Sequence, residues 1–177
     1  MSDSLRRITR IAMLAALIYV LSWGTSFLPN INLIFFIVFT AGFLWGAKAG
    51  ILVGVVGMGL WTTFNPYGLA DFAMMLAQVV GISFSGVVGF FFRKVPGLNR
   101  DIRFFLIGRL IIAAFSCTLL FFLPVSLVDA WIYQPFWPRF YTGMLWGLVS
   151  LAANTVIFPL LFPVTGYLYE REKKFSW

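Results

Sequence analysis

Side chains that carry out covalent or metal chemistry are scarce in this chain. It contains no histidine, one cysteine (Cys117) and six acidic residues. Catalytic triads, metal clusters and phosphate-binding loops each need particular residue types at a fixed spacing, and the sequence offers no such set. Nothing in it brings Asp71 and Asp129 together as a carboxylate pair. We therefore predict no enzyme, no metal site and no cofactor, and Cys117 has no second cysteine for a disulfide.

Polar side chains suited to binding a small molecule lie between the apolar stretches. Asp71 and Gln78 are seven residues apart, which places them on one face of a helix. Asn65 and Tyr67 lie in the connection just before that helix. These four residues can line one pocket with aromatic walls and a few orienting polar groups, which suits a small organic ligand. Further candidates for the same pocket are Trp131, Tyr133, Gln134 and Asn154.

A purely structural explanation competes at several of these positions. Tryptophan and tyrosine are enriched at both membrane interfaces as anchors, so a belt is the favoured interpretation for Trp131, Trp137 and Tyr141. Residues 65–68, Asn-Pro-Tyr-Gly, are also a good turn sequence. Asp71 and Gln78 are harder to explain in this way, and for them binding and structure are equally favoured.

The composition predicts the kind of secondary structure that holds these residues in place. Of 177 residues, 61% are hydrophobic and 11% are charged, and the mean hydropathy is +0.94. A soluble domain is about half apolar and about a quarter charged, so the solvent of this chain must be lipid. We predict an all-α integral membrane protein with a single transmembrane domain over residues 1–177. Breaks at proline, glycine and charge give about six spans, at about 8–28, 31–45, 49–63, 69–92, 102–126 and 141–169.

The distribution of positive charge predicts the orientation. With six spans, both termini share one side of the membrane with the loops around Lys48 and Arg93. That side carries nearly all the basic residues, whereas the other side carries only Arg139. The positive-inside rule then places both termini in the cytoplasm. The net charge of +7 is explained by topology, and we expect the lipid bilayer but no nucleic acid as a partner.

Small residues at helical spacing predict where the helices meet. Gly42, Gly46, Gly50 and Gly54 follow one another at intervals of four residues. Because lipid tails are as apolar as leucine, helices associate where small residues allow close approach, and internal packing is the expected role. The first span carries Ala12 and Ala16 at the same interval. This alanine face can pack internally or receive a partner helix, and spacing alone favours internal packing.

These features together resemble the substrate-binding S components of energy-coupling factor (ECF) vitamin transporters. The similarity lies in the chain length, the six spans and the basic N-terminus that leads into an alanine-rich first helix. The pair Ala12-x-x-x-Ala16 looks like the first-helix alanine motif of that family. The glycine-rich middle and the Asn-Pro-Tyr-Gly connection before a fourth helix that contains Gln78 are also similar.

The resemblance implies a function. An S component binds a vitamin or related micronutrient near the outer surface of a bacterial or archaeal cytoplasmic membrane. Its alanine motif, here Ala12 and Ala16, docks on a transmembrane coupling subunit that two cytoplasmic ATPase subunits drive. The whole S component is thought to topple in the membrane and so carry its pocket to the cytoplasm. Ligand residues vary with the substrate in this family, so the pocket residues proposed above rest on topology and polarity alone.

A second function fits much of the same pattern. A non-transporting membrane scaffold of cell-envelope machinery uses the same small-residue faces for its contacts. Such a scaffold has no need of Gln78 or Asp71. The presence or absence of a bound small molecule therefore distinguishes the two hypotheses.

Overall fold

The computed structural model describes residues 3–94 and 103–175, and within those ranges the chain forms six α-helices and no β-strand. In chain order the helices are α1 (Asp3–Gly24), α2 (Ile34–Trp45), α3 (Ala47–Phe64), α4 (Phe72–Lys94), α5 (Arg103–Tyr133) and α6 (Phe136–Phe175). The prediction of an all-helical fold is confirmed, and each helix overlaps the apolar segment predicted at its place in the chain.

Helices α3 to α6 are each long and apolar enough to cross a membrane. Helix α2 is apolar as well but has only 12 residues, so it is about 18 Å long at a rise of about 1.5 Å per residue. The hydrocarbon core of a bilayer is roughly 30 Å thick. The described residues thus contain four helices that can span a membrane, while α2 is too short and α1 is not among these four, so the fold is that of a helical membrane protein.

This short helix lies at the centre of the bundle. Every residue from Ile34 to Leu44 is buried, and α2 contacts all five other helices. A helix that is apolar on all sides belongs in an interior, where each face finds an apolar partner. The other helices thus enclose α2, and its shortness is compatible with a position inside protein rather than in lipid.

Phenylalanine rings on α2 fill much of this core. The ring of Phe35 meets that of Phe121 on α5 edge to face, with centroids 5.2 Å apart. Phe39 lies 5.1 Å from Phe158 on α6, and Phe43 continues the row toward the end of α2. Aromatic pairs favour such edge-to-face and tilted arrangements. The rings therefore join α2 to the α5–α6 pair.

Glycines bring α2, α3 and α4 into backbone contact. A Cβ atom on Gly42 would lie 1.9 Å from the carbonyl oxygen of Gly86 on α4, and one on Gly50 would lie 2.6 Å from the Gly86 Cα. A Cβ atom on Gly89 would lie 2.0 Å from the carbonyl oxygen of Phe39. No side chain larger than hydrogen fits at these crossings. The predicted internal packing of small residues is confirmed here.

Other glycines of the predicted series have different roles. Gly54 packs against the backbone of Ser83, and Gly57 packs against the side chain of Ile18 on α1. Gly46 instead has a φ of +93°, in the left-handed region that glycine adopts readily. It therefore forms the tight turn between α2 and α3.

The start of α1 and the end of α6 lie at the same end of the bundle. Arg10 on α1 forms an ion pair with Glu172 on α6. Arg93, at the end of α4, donates to the carbonyl oxygen of Leu44 at 3.2 Å and lies over the ring of Tyr169. We call this the basic end, and its further basic residues are Arg6, Arg7, Lys48, Lys94, Arg171 and Lys173. The other is the opposite end.

Helices α5 and α6 extend further than the predicted spans. The fifth span was expected to end at about Ser126 and the sixth to begin at about Tyr141, whereas α5 continues to Tyr133 and α6 begins at Phe136. Residues 127–133 contain neither glycine nor proline, so nothing interrupts the helix before Pro135. The polar and aromatic residues of this region therefore lie on the ends of a long helical hairpin.

The alanines of α1 face outward. Ala12 and Ala16 are exposed, whereas Ala15 and Ile18 are each only 1% exposed and face the bundle. Among the described helices, α1 packs along α3 and α2 and also forms the Arg10–Glu172 ion pair with α6, and one side of it suffices for those contacts. The internal packing that spacing favoured for Ala12 and Ala16 is therefore wrong.

The glycine crossings predict that two Gly→Ala substitutions differ sharply in their effect on the free energy of unfolding. Gly42→Ala should lower the free energy of unfolding by about 1–3 kcal/mol, because its methyl group overlaps the Gly86 backbone. Gly59→Ala on α3 is the control, since a Cβ atom there has nothing within 4 Å. Thermal unfolding of the purified protein in detergent measures both. Equal stability of the two variants would contradict the crossing.

Candidate binding region at the opposite end

The connection between α3 and α4 is held by its own hydrogen bonds. The Asn65 side chain donates from Nδ2 to the carbonyl oxygen of Gly68 at 3.0 Å, and its Oδ1 accepts from the backbone N–H of Tyr67 at 2.8 Å. Asparagine commonly stabilises turns in this way. The Tyr67 hydroxyl donates to the carbonyl oxygen of Ser26. Both predicted pocket residues therefore act in building this connection and in joining it to the end of α1.

Asp71 has an equally local role. Its Oδ1 accepts a hydrogen bond from the backbone N–H of Ala73 at 2.9 Å, and α4 begins at Phe72. A carboxylate at this position caps the first turn of a helix. Asp71 is exposed, so capping leaves part of the carboxylate open to other contacts.

Gln78 is in a different environment. It is half-buried on α4, one turn before Gly81, whose Cβ position would lie 3.0 Å from the Cα of Phe121 on α5. Its side-chain amide forms no hydrogen bond with any group in the described ranges. Amides inside a membrane protein are costly unless they find a partner. Gln78 is thus a half-buried donor and acceptor close to the α4–α5 contact.

The aromatic group at the tip of the α5–α6 hairpin is mostly open. Trp131 is 76% exposed, and its carbonyl oxygen accepts from the Gln134 side chain at 3.3 Å. Arg139 pairs with Asp129 at 3.3 Å and lies 5.1 Å from the ring centroid of Tyr133. Exposed rings at a helix end are typical of membrane-interface anchors. Trp131, Tyr133 and Gln134 form no enclosed wall here.

Asn154 is the most deeply buried of the predicted pocket residues. It is 1% exposed, and its Nδ2 donates to the hydroxyl of Thr118 on α5 at 2.9 Å. Thr118 in turn donates to the carbonyl oxygen of Ala114 at 2.8 Å. Asn154 therefore joins α6 to α5 inside the bundle. The two groups that continue this network, the Thr118 hydroxyl and the Ala114 carbonyl, both belong to the protein.

Two polar residues that the sequence analysis did not single out lie nearby along the same helices. Ser150 on α6 donates to the carbonyl oxygen of Asn30 at 2.6 Å. Ser126 on α5 is 2% exposed, and its hydroxyl has no hydrogen-bond partner in the described part of the chain. Polar residues within an apolar stretch were the available signal for both. Ser126 and Gln78 are thus two polar groups of this half that have no hydrogen-bond partner within the described residues.

The eight predicted residues are therefore distributed over four surroundings. Asn65, Tyr67 and Asp71 stabilise one connection, and Gln78 lies on α4. The other four residues lie in two places. Asn154 is buried, and the exposed hairpin tip carries Trp131, Tyr133 and Gln134. The structure does contain an open groove of about 400 Å³ between α4 and α5, but none of the eight residues lines it.

This groove has the character of a lipid-facing surface. Phe91 and Ile112 in its walls are 58% and 66% exposed, and Ser116 and Arg109 are its main polar residues. Arg109 donates to the carbonyl oxygen of Phe92 at 3.2 Å, so its guanidinium group is held against the protein. The groove offers apolar contacts suited to lipid tails.

Comparisons with known proteins add no assignment: no family model, no curated protein and no solved structure matches the chain. Any function must therefore be argued from the residues and contacts described above.

The buried amide contact can be tested by a double-mutant cycle. Asn154→Leu and Thr118→Val should show a coupling energy of about 0.6 kcal/mol, and at most about 1.7 kcal/mol, as hydrogen bonds between membrane helices do. Unfolding in detergent, measured for the two single variants and the double variant, gives the value. Strictly additive effects would show that the two side chains do not interact.

Proposed function

We propose that this protein is the substrate-binding subunit of an ECF-type importer for a vitamin or related micronutrient. In this proposal the chain crosses the cytoplasmic membrane of a bacterium or archaeon six times. Its basic end faces the cytoplasm, as the positive-inside rule predicts. The ligand binds near the opposite end, and α1 docks on a transmembrane coupling subunit that two ATPase subunits drive. The outward position of Ala12 and Ala16 is the observation that carries the proposal.

The exposed side of α1 has the shape that a partner helix needs. Ile8, Ala12, Ala16 and Val20 follow one another at intervals of four residues and are all exposed. Two small side chains between two larger ones leave a shallow trough along the helix. In lipid, such a trough gains contact area when another helix approaches closely. Since the bundle itself uses the other side of α1, this face is available for a partner protein.

Gln78 is the residue best suited to contact a ligand. Its amide is half-buried and without a protein partner in the described ranges, whereas Asn65, Asp71 and Asn154 have structural hydrogen bonds. A bound ligand with a polar edge would satisfy this amide, and such directed bonds account for much of the specificity of small-molecule sites. Non-catalytic binding also agrees with the scarcity of side chains for covalent chemistry.

The docking face predicts a separation of binding from transport. Ala12→Trp or Ala16→Trp should reduce uptake to background in cells that also produce the coupling subunit and both ATPases, because the bulky ring fills the trough. Folding and ligand affinity should be unchanged, since both positions are exposed. Uptake of the labelled ligand and thermal unfolding of the purified variant measure the two effects.

Two further substitutions on the same helix serve as controls. Ala15→Trp should prevent folding, because Ala15 is only 1% exposed. Met13→Trp should leave uptake intact, since Met13 is already large and 67% exposed outside the trough. If Ala12→Trp and Met13→Trp transport equally well, α1 is not the docking face.

The ligand prediction starts from the purified protein. Mass spectrometry should identify a small molecule that copurifies, and titration should give a nanomolar dissociation constant. Gln78→Ala should weaken binding at least about tenfold, equivalent to about 1.4 kcal/mol. Gln134→Ala is the matched control, because that amide bonds to the backbone of Trp131. Absence of binding across a panel of vitamins would favour the membrane scaffold instead.

A further inference from the structure

A second cavity lies at the basic end, between the start of α1 and the α2–α3 turn. Its volume is about 340 Å³, and it is less open than the groove between α4 and α5. The residues that line it are Arg6, Arg7, Arg10, Ile11, Trp45 and Ala49. Three arginines and one tryptophan around a cavity of this size indicate a site for an anion.

The positive charge of this cavity is only partly balanced by the acidic side chains that the structure describes. Arg10 forms an ion pair with Glu172, and its guanidinium group lies 5.2 Å from the ring centroid of Trp45. These two contacts fix Arg10 at the cavity wall. Arg6 and Arg7 are exposed and have no ion pair in the described ranges. The three arginines and Glu172 together leave an excess of two positive charges.

Trp45 supplies a further unsatisfied donor. Its indole Nε1 is buried and has no hydrogen-bond partner in the part of the chain that the structure describes. Nearly all buried N–H groups have a partner, because leaving one unpaired costs free energy. Trp45 lines the cavity, so a small shift of the surrounding side chains would let an anionic oxygen bound there accept from this indole. The unpaired N–H is thus a second observation, independent of the charge, that points to a ligand.

We propose that this cavity binds the phosphate headgroup of an anionic phospholipid. Arginine is well suited to phosphate because its guanidinium group donates two parallel hydrogen bonds. The apolar neighbours favour a lipid over a free anion, because Ile11 and Ala49 line the cavity beside the arginines. An acyl chain can begin against these side chains while the headgroup meets the arginines.

The position at one end of a membrane-spanning bundle supports the same occupant. Basic pockets between helices at the membrane surface are known sites for acidic headgroups. Such a lipid would also bridge α1 and the α2–α3 turn, and it would add to the ion pair between Arg10 and Glu172 at this corner of the bundle. This site is separate from the ligand region at the opposite end and does not depend on the proposed transport function.

The test compares three ligands on delipidated protein in an uncharged detergent. Binding of short-chain phosphatidylglycerol, short-chain phosphatidylcholine and inorganic phosphate is measured by native mass spectrometry and by the shift in unfolding temperature. We expect phosphatidylglycerol alone to bind and to stabilise the protein. Equal binding of phosphatidylcholine, or of inorganic phosphate, would overturn the assignment of an anionic lipid.

Substitutions of the lining arginines test whether the lipid binds in this cavity. The double substitution Arg6→Gln and Arg7→Gln should weaken phosphatidylglycerol binding at least about tenfold, since each basic residue near a membrane surface contributes to the attraction. Lys48→Gln with Arg171→Gln is the matched control, because both residues are exposed at the basic end and neither lines the cavity. An equal loss in both double variants would show general charge attraction and overturn the proposed site.

A second variant that preserves the net charge keeps the proposal testable if the double arginine variant does not fold. Trp45→Phe keeps an aromatic ring beside Arg10 and replaces the indole, with its N–H, by a smaller phenyl ring. If the N–H donates to the headgroup, this variant should bind phosphatidylglycerol several-fold more weakly at unchanged net charge. Unchanged affinity of Trp45→Phe would overturn the proposed role of the tryptophan in the site.

Discussion

The close crossing of α2, α3 and α4 at glycine is the constraint on which the other contacts depend. Gly42, Gly50 and Gly86 meet backbone to backbone, with no room for a methyl group. Only this approach lets the short α2 lie inside the bundle with all its faces covered. Because lipid provides no hydrophobic force that drives helices together, the shape of the contact must supply the attraction through dispersion. The phenylalanines of α2 then extend the same core to α5 and α6.

The central position of α2 also explains why the bundle covers more of some helices than of others. Helices α4, α5 and α6 pack around α2, whereas the described part of α1 packs along α3 and α2 and meets α6 through the Arg10–Glu172 ion pair. Helix α1 therefore needs apolar contact on one side, which Ala15 and Ile18 provide, and its other side remains free. Partner docking through Ala12 and Ala16 is thus compatible with the fold without any rearrangement of the core. The position of α1 at the edge of the bundle makes the proposed docking possible.

The sequence predicted the features that depend on local pattern. The length of the apolar segments predicted the helices, and the four-residue spacing of the glycines predicted close packing at Gly42 and Gly50. The features that depend on tertiary context were beyond it. Spacing cannot tell which side of α1 faces α3; it favoured internal packing for Ala12, whereas the family resemblance implied an outward docking face. The pairing of Asn154 with Thr118 joins residues 36 positions apart, and polarity alone does not distinguish such a structural bond from a ligand contact.

The filled core also limits how a ligand can enter. Phe35 and Phe39 pack against rings of α5 and α6 in the centre of the bundle, and close-packed interiors do not deform continuously. A site formed in the centre would require several of these contacts to break together. Gln78 lies on α4 near the α4–α5 contact, whereas the Ser126 hydroxyl lies against Gly143 on α6. A ligand that binds Gln78 at the edge of the bundle therefore leaves these phenylalanine contacts in place. An intact core is also compatible with the proposed transport function, in which the whole bundle moves as one body.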